Sequence, residues 1–141
     1  MSWIYNGKVF EDVDIPEKAL GFIYVMSVIL NGQSYSYIGK KNFYSNKKSK
    51  LGKKALAAIA DKRLKKYKVI KRTDYQNYFS SNDILKQAHK DDIVIKRTIL
   101  KICYSKTELT YQEVKHQFMY GVLENDLYLN GNILGRFYKQ K

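Results

Sequence analysis

Two Asn-Gly pairs punctuate the first 40 residues, each set between runs of β-branched, aromatic and aliphatic side chains. Trp3-Ile4-Tyr5 and Lys8-Val9-Phe10 flank Asn6-Gly7. This predicts a hairpin, because both residues of a two-residue turn need positive φ and Asn and Gly tolerate it. The acidic stretch from Glu11 to Glu17 reads as a connector. Gly21 to Leu30 is an almost unbroken apolar strand, Asn31-Gly32 turns it, and Ser34 to Gly39 returns. With a two-residue loop, Leu30 faces Gln33 and Met26 faces Tyr37. Tyr24 and Tyr37 then share one sheet face as diagonal neighbours, roughly 7–8 Å apart at the backbone. A loop one residue longer or shorter would put them on opposite faces.

Helical spacing takes over further along. Over 53–67, Leu56, Ala60, Arg63 and Tyr67 fall on one stripe with Ile59 and Leu64 beside it. This predicts a helix that turns Arg63 toward the core. After a short Val69-Ile70 segment, Thr73 caps a brief helix through Phe79, and Ser81 or Asn82 caps another through about His89. Ile93 to Tyr104 suits a central strand. Ser105-Lys106-Thr107-Glu108 is a capping box that opens a helix to about Leu123. On that helix Tyr111, Val114, Phe118 and Val122 form an apolar stripe, with Glu113, His116, Gln117 and Tyr120 gathered opposite. Asn130-Gly131-Asn132 and Gly135 turn the chain into a short β or irregular tail. The expected class is α+β, a small antiparallel sheet flanked by helices.

Composition sharpens this picture in one place. At 141 residues, of which 45% are apolar, the chain is expected to fold as one domain over 1–141. That domain would carry an N-terminal hairpin (about 1–20) and a basic insertion (about 40–72). The formal net charge is +13. Residues 40–72 hold 14 Lys or Arg against one acid, Asp61, while the other 108 residues balance at 12 basic and 12 acidic. Such a block repels itself unless it meets a polyanion, and nucleic acid leads as the partner. One cysteine, Cys103, excludes an internal disulfide and reads as a small buried hydrophobe. With His89 and His116 the only histidines, a four-ligand Cys/His zinc site is excluded within one chain. A catalytic metal would be a hard ion on oxygen ligands. No apolar run spans a membrane and no signal segment opens the chain, so an intracellular, cytoplasmic location is expected.

Gly21-Phe22-Ile23-Tyr24 and Tyr37-Ile38-Gly39, with 12 residues between the tyrosines, resemble the two halves of the signature of the GIY-YIG nuclease superfamily. The Tyr37-Ile38-Gly39-Lys40-Lys41 run and the Asp74–Ser81 segment look most like the Seg-like GIY-YIG endonucleases of large bacteriophages. A chain encoded by a phage in a bacterial host would fit that resemblance. Members follow the hairpin with an Arg on a helix, a Glu on a later helix and an Asn in a C-terminal segment. Arg63 with Tyr67, Glu113 and Asn130 match that order. Where compact members place the Arg soon after the second tyrosine, this chain has Lys47, which lacks the two-pronged planar donor. Arg72 competes with Arg63 for that role.

What the resemblance implies is a Mg²⁺- (or Mn²⁺-) dependent endonuclease that hydrolyses double-stranded DNA, of homing type or restriction-like. Tyr24 would act as general base with Tyr37 assisting, which requires nearby cations to pull the phenol's pKa below its ordinary value near 10. Glu113 would hold the metal, Arg63 would grip the phosphate, and Asn130 would orient the site. Lys40, Lys41, Lys47, Lys48, Lys53, Lys54 and Arg72 would bind DNA. Cutting both strands with one site per chain would favour a homodimer. The alternative is a non-catalytic DNA- or RNA-binding protein on the same scaffold.

Overall fold

The structure, a computed structural model, describes residues 2–50 and 66–139. Both Asn-Gly pairs form the expected turns. Strands β1 (Trp3–Tyr5) and β2 (Lys8–Phe10) pair around Asn6 and Gly7, whose φ angles are 51° and 78°. Strands β3 (Gly21–Leu30) and β4 (Gln33–Asn42) pair around Asn31 and Gly32, with the same two angles. Leu30 stands opposite Gln33 and Met26 opposite Tyr37. The register read from the turn therefore holds, and Tyr24 and Tyr37 share a face.

Beyond β4 the chain leaves the main sheet. Strands β5 (Tyr44–Lys50) and β6 (Lys66–Arg72) pair antiparallel as a separate two-stranded ribbon. The helix expected over 53–67 lies outside the described residues except for its last two positions, Lys66 and Tyr67, and these are in β6. Tyr67, Val69 and Ile70 favour a strand once β5 offers a partner, so pairing overrides helical spacing there. The brief helix expected from Thr73 is one turn of 3₁₀ helix, Tyr75–Asn77. Thr73 does not cap it: its hydroxyl donates to the Asn42 carbonyl at 2.6 Å, closing the base of the ribbon.

Helix α1 (Asp83–Lys90) starts where Asn82 Oδ1 accepts from the Ile84 and Leu85 amides. Strand β7 (Ile95–Cys103) runs through the middle of a five-stranded sheet ordered β2-β1-β7-β3-β4. The sheet is mixed rather than wholly antiparallel, since β1 runs parallel to β7. The long connection from β2 through α1 permits a parallel pair, whereas tight hairpins give antiparallel ones. The α+β class stands.

Helix α2 (Lys106–Met119) is capped by Ser105 Oγ, which accepts from the Glu108 amide, and the Glu108 carboxylate accepts from the Tyr104 amide. It stops short of Leu123. Gly121 takes the left-handed position at φ 59°, and the Val122 amide donates back to the Gln117 carbonyl at 3.2 Å, a glycine C-cap. The C-terminal tail is the small hairpin β8 (Asn132–Ile133) and β9 (Phe137–Tyr138).

Alternation along β3 sends Phe22, Tyr24, Met26 and Val28 into one core with Trp3, Phe43, Tyr75 and Leu85. Ile23 goes to the other, with Ile38, Leu109, Val122 and Ile133. Cys103 is buried in this second core, as its strand position predicts. No helix among the described residues is long and apolar enough to cross a membrane.

Candidate active site

Tyr24 stands directly opposite Gly39 across the β3–β4 pair, and its ring lies over that glycine. A Cβ built on Gly39 would come within 2.5 Å of the Tyr24 Oη and 2.7 Å of its Cζ. The glycine of the second half-motif is thus the space the first tyrosine occupies. Tyr24 is 1% exposed, edge-on to Trp3 and 6.3 Å from the Tyr37 ring centre. Its Oη lies 3.5 Å from Tyr78 Oη and 3.4 Å from Ser80 Oγ.

These surroundings push the Tyr24 phenol well above the ordinary range. Burial is the main cause and the Tyr78 phenol the next, with Ser80 working weakly the other way. The sequence reading required a shift in the opposite direction. Among the described residues Lys41 reaches this cluster: its Nζ sits 4.5 Å from the Tyr78 ring centre and so stabilises that ring face. Tyr37 is half-buried, and burial raises its phenol too, followed by Tyr78 and Glu113, while a hydrogen bond with Ser81 opposes the rise.

Glu113 and Asn130 converge on the outer edge of β4, which no other strand of the main sheet covers among the described residues. Three different devices satisfy its backbone in turn. The Ser36 amide donates to the Leu127 carbonyl, and the Ser36 carbonyl accepts from the Leu129 amide. At Ile38 a side chain takes over: the amide donates to Asn130 Oδ1 at 3.0 Å, and Asn130 Nδ2 donates to the Ile38 carbonyl at 2.8 Å. Asn130 is 2% exposed and copies the donor–acceptor pattern of a neighbouring strand. Gln117 Nε2 adds a second donor to the Ile38 carbonyl at 3.1 Å. At Lys40 the backbone amide donates to the Glu113 carboxylate. Burial lifts that carboxyl above its usual range, and the Lys40 charge and amide only partly offset it.

This arrangement overturns half of the expected orientation of α2: Val114 and Val122 of the apolar stripe pack in the second core, and Tyr120 of the opposite set is exposed. Tyr111 and Phe118, placed on the core stripe by spacing, are 57% and 51% exposed, while Leu109 and Gln117 are buried. Unpaired peptide groups on the edge strand favour a polar helix face, because an orphaned buried N–H costs about 1–3 kcal/mol. Gln117 and Glu113 meet that need; apolar side chains could not.

The arginine candidates separate. Arg63 lies outside the described residues, as do Lys53 and Lys54. Arg72 is engaged elsewhere: its Nη1 is 2.8 Å from the Asp12 carboxylate, at the base of the ribbon. Tyr67, Lys47 and Lys48 are ribbon positions, paired with Ser49, Val69 and Lys68. Lys40 is exposed, and its Nζ donates to Thr110 Oγ1 at 3.2 Å.

Sequence reasoning missed Tyr78, Ser80, Ser81 and Arg97. Arg97, 2% exposed on β7, donates from Nη1 to the carbonyls of Gln76 at 2.8 Å and Tyr78 at 2.9 Å. Its guanidinium packs between the rings of Trp3 and Phe79, and burial lowers its pKa to about 10. Arg97 therefore pins the 76–80 segment that brings Tyr78 and Ser80 to Tyr24. The available signal was an arginine at a core-facing position of the central strand, in alternation with Ile95 and Ile99.

No group of three or more acidic, His or Cys side chains gathers as a metal cluster among the described residues. Glu113 alone still fits a hard divalent ion. A carboxylate that accepts one N–H keeps free lone pairs. Mg²⁺ is commonly bound by one or two carboxylates, with waters and substrate phosphates completing the shell.

A family model described as "Putative endonuclease segE, GIY-YIG domain" matches residues 3–133, a span that takes in every candidate from Tyr24 to Asn130. No curated protein and no solved structure matches the chain.

Proposed function

This chain belongs to the segE GIY-YIG endonuclease domain family, and on that premise we propose that it is a Mg²⁺-dependent endonuclease acting on double-stranded DNA. The observation that carries the proposal is the meeting of Tyr37, the Lys40 amide and the Glu113 carboxylate at one end of β4. Tyr37 and Lys40 share β4, and α2 brings Glu113 to them from a distant part of the chain. Glu113 holds the ion, which when bound offsets negative charge developing on the scissile phosphate.

The phenols act as neutral groups in this reading. Tyr37, half-buried beside Glu113, donates from Oη to orient the attacking water or a phosphate oxygen. Tyr24 lies beneath it and holds Tyr37 and Tyr78 in place. Arg63 takes the phosphate-gripping role, since Arg72 Nη1 is paired with Asp12 at the base of the ribbon. Asn130 fixes the backbone between Tyr37 and Gly39. The burial of Tyr24 favours one other reading, a DNA-binding protein that does not cut.

Plasmid nicking in Mg²⁺, Mn²⁺ and EDTA separates the two, with Glu113→Gln as the variant. Gln keeps an acceptor for the Lys40 amide and removes the charge. The parent cuts only with a divalent ion, and Glu113→Gln loses cleavage by on the order of 10²-fold or more while its affinity for duplex in EDTA is unchanged. Cutting by the variant within tenfold of the parent would remove Glu113 from the role. A parent that shifts the plasmid under all three conditions and never cuts it would establish the binding protein instead.

A further inference from the structure

The β5–β6 ribbon carries no load that the fold explains. Among the described residues its two seven-residue strands pair only with each other and belong to no larger sheet. A two-stranded sheet alone in water is marginal. Its register makes matters worse, because Lys48 stands opposite Lys68 and Lys50 opposite Lys66. Directly opposed like charges destabilise a strand pair. Successive strand positions alternate between faces. Positions 48, 50, 66, 68 and 72 therefore share one face, whereas Lys47 and Lys71 are the cations of the other.

Its base, by contrast, is firmly tied. Phe43 is fully buried at the junction, the Thr73 amide donates to the Phe43 carbonyl at 2.8 Å, and Arg72 pairs with Asp12. β5 follows β4 after that single bend, so the ribbon leaves the sheet beside Lys40 and Lys41, at the end of the candidate site.

We propose that this ribbon is a DNA-reading element that lies in the major groove next to the cleavage site, with the face bearing positions 48, 50, 66 and 68 set against the phosphates. The proposal rests on the nuclease reading for its partner, but its test does not require cleavage. A two-stranded ribbon fits a groove about 12 Å wide. Seven residues at about 3.4 Å each give a reach of about 24 Å, so groove contacts fall within about one helical turn of the cut. Phosphates would also relieve the repulsion between the opposed lysines, which makes the free ribbon less stable than the bound one.

The experiment compares the full-length parent with a variant carrying Lys48→Gln, Lys50→Gln, Lys66→Gln and Lys68→Gln, binding duplex DNA in EDTA across a salt series. At about 0.9 per phosphate contact, four lost contacts flatten the log K against log salt slope by about 3.6. Over a fourfold rise in salt, the parent then loses about 10²-fold more affinity than the variant. The variant's thermal midpoint equals or exceeds the parent's, because like-charge pairs are removed; a structural role would lower it. A control with Lys86, Lys90, Lys96 and Lys101 changed to Gln keeps the parent's slope.

Two further readouts place the ribbon in the groove. Methylation at guanine N7 interferes with parent binding, and duplex RNA of the same sequence competes poorly, since its major groove is deep and narrow. An unchanged slope, equal competition by RNA, or interference confined to minor-groove methylation would overturn the proposal. A parent that binds with all these signatures but never cuts refutes the nuclease and leaves the ribbon standing. A parent that cuts, alongside a variant with an unaltered slope, does the reverse.

Discussion

Replacing Asn130 tests the edge clamp most directly. The Asn130 amide makes two hydrogen bonds to one buried peptide unit, at 3.0 Å to the Ile38 amide and 2.8 Å to its carbonyl. In Asn130→Ala the carbonyl keeps Gln117 as donor, but the Ile38 N–H loses its partner. One orphaned donor and one lost bond together cost about 2–4 kcal/mol. Because Gln117 and Asn130 serve the same carbonyl, Gln117→Ala costs more when combined with Asn130→Ala than it does alone. That coupling should be about 0.5–3 kcal/mol.

Asn130→Asp is nearly isosteric and gives the sharper result. One oxygen still accepts from the Ile38 amide, but the other replaces a donor and faces the Ile38 carbonyl. A protonated carboxyl can donate there and an ionised one cannot, so the folded state raises this group's pKa above its unfolded value near 3.9. A group raised in this way contributes stability that is present below the unfolded pKa and lost as pH rises through the folded one. Urea unfolding of Asn130→Asp should therefore show a deficit against the parent that grows between about pH 4 and pH 7 by more than about 1.4 kcal/mol. A pH-independent deficit, or an Asn130→Ala cost below about 0.5 kcal/mol, would refute the clamp.

Two further predictions concern the phenols and the base of the ribbon. Tyr37→Phe should reduce cleavage by on the order of 10²–10³-fold, the usual effect of losing one positioned donor, and Tyr24→Phe should reduce it less, because its oxygen is buried; the reverse order in single-turnover nicking would make Tyr24 the reacting phenol. Asp12 accepts from the Tyr75 hydroxyl at 2.5 Å and pairs with Arg72, and these contacts hold its carboxyl below the ordinary 3.8. Its stabilising contribution is present above that value and lost as pH falls through the lower folded one. Asp12→Asn should thus be less stable than the parent at neutral pH, with the gap closing as acid protonates Asp12; a gap that is constant from pH 7 down to pH 2 would remove this pair from the account.

The parts of this molecule governed by local rules could be read from its sequence. Asn31-Gly32 determined a turn, the turn determined a register, and the register put Tyr24 and Tyr37 on one face before any long-range contact was considered. Asn82 and Ser105 marked the helix starts for the same reason, since each satisfies orphaned amides a few residues away. The failures share a different cause. Apolar spacing puts Tyr111 and Phe118 on the core side of α2, but part of what the helix packs against is an edge strand that needs hydrogen bonds. Spacing puts Tyr67 on a helix because nothing in its own segment shows the partner strand β5. The pKa direction at Tyr24 depended on burial beneath the 78–80 segment, which is held by Arg97 from a strand distant in sequence. Each missed feature was a property of a pair of segments.

That pattern explains why the candidate site lies where local sequence rules fail. An exposed strand edge invites pairing with another chain, and proteins cover such edges with side chains or loops. Here the cover along β4 passes from backbone at Ser36, to an amide at Ile38, to a carboxylate at Lys40. Only the last device leaves spare acceptor capacity, and it comes where the Lys40 and Lys41 side chains begin the basic segment. A carboxylate that must stay half-buried to satisfy a peptide amide is held at a defined position by the fold, before any cation or substrate arrives. In the proposed function the anionic ligand, Glu113, is thereby held by a contact that also closes the edge of the sheet. In the proposed function Glu113 and Gln117 of α2 therefore serve structure and chemistry at once, on the side of the helix that binary patterning places toward solvent.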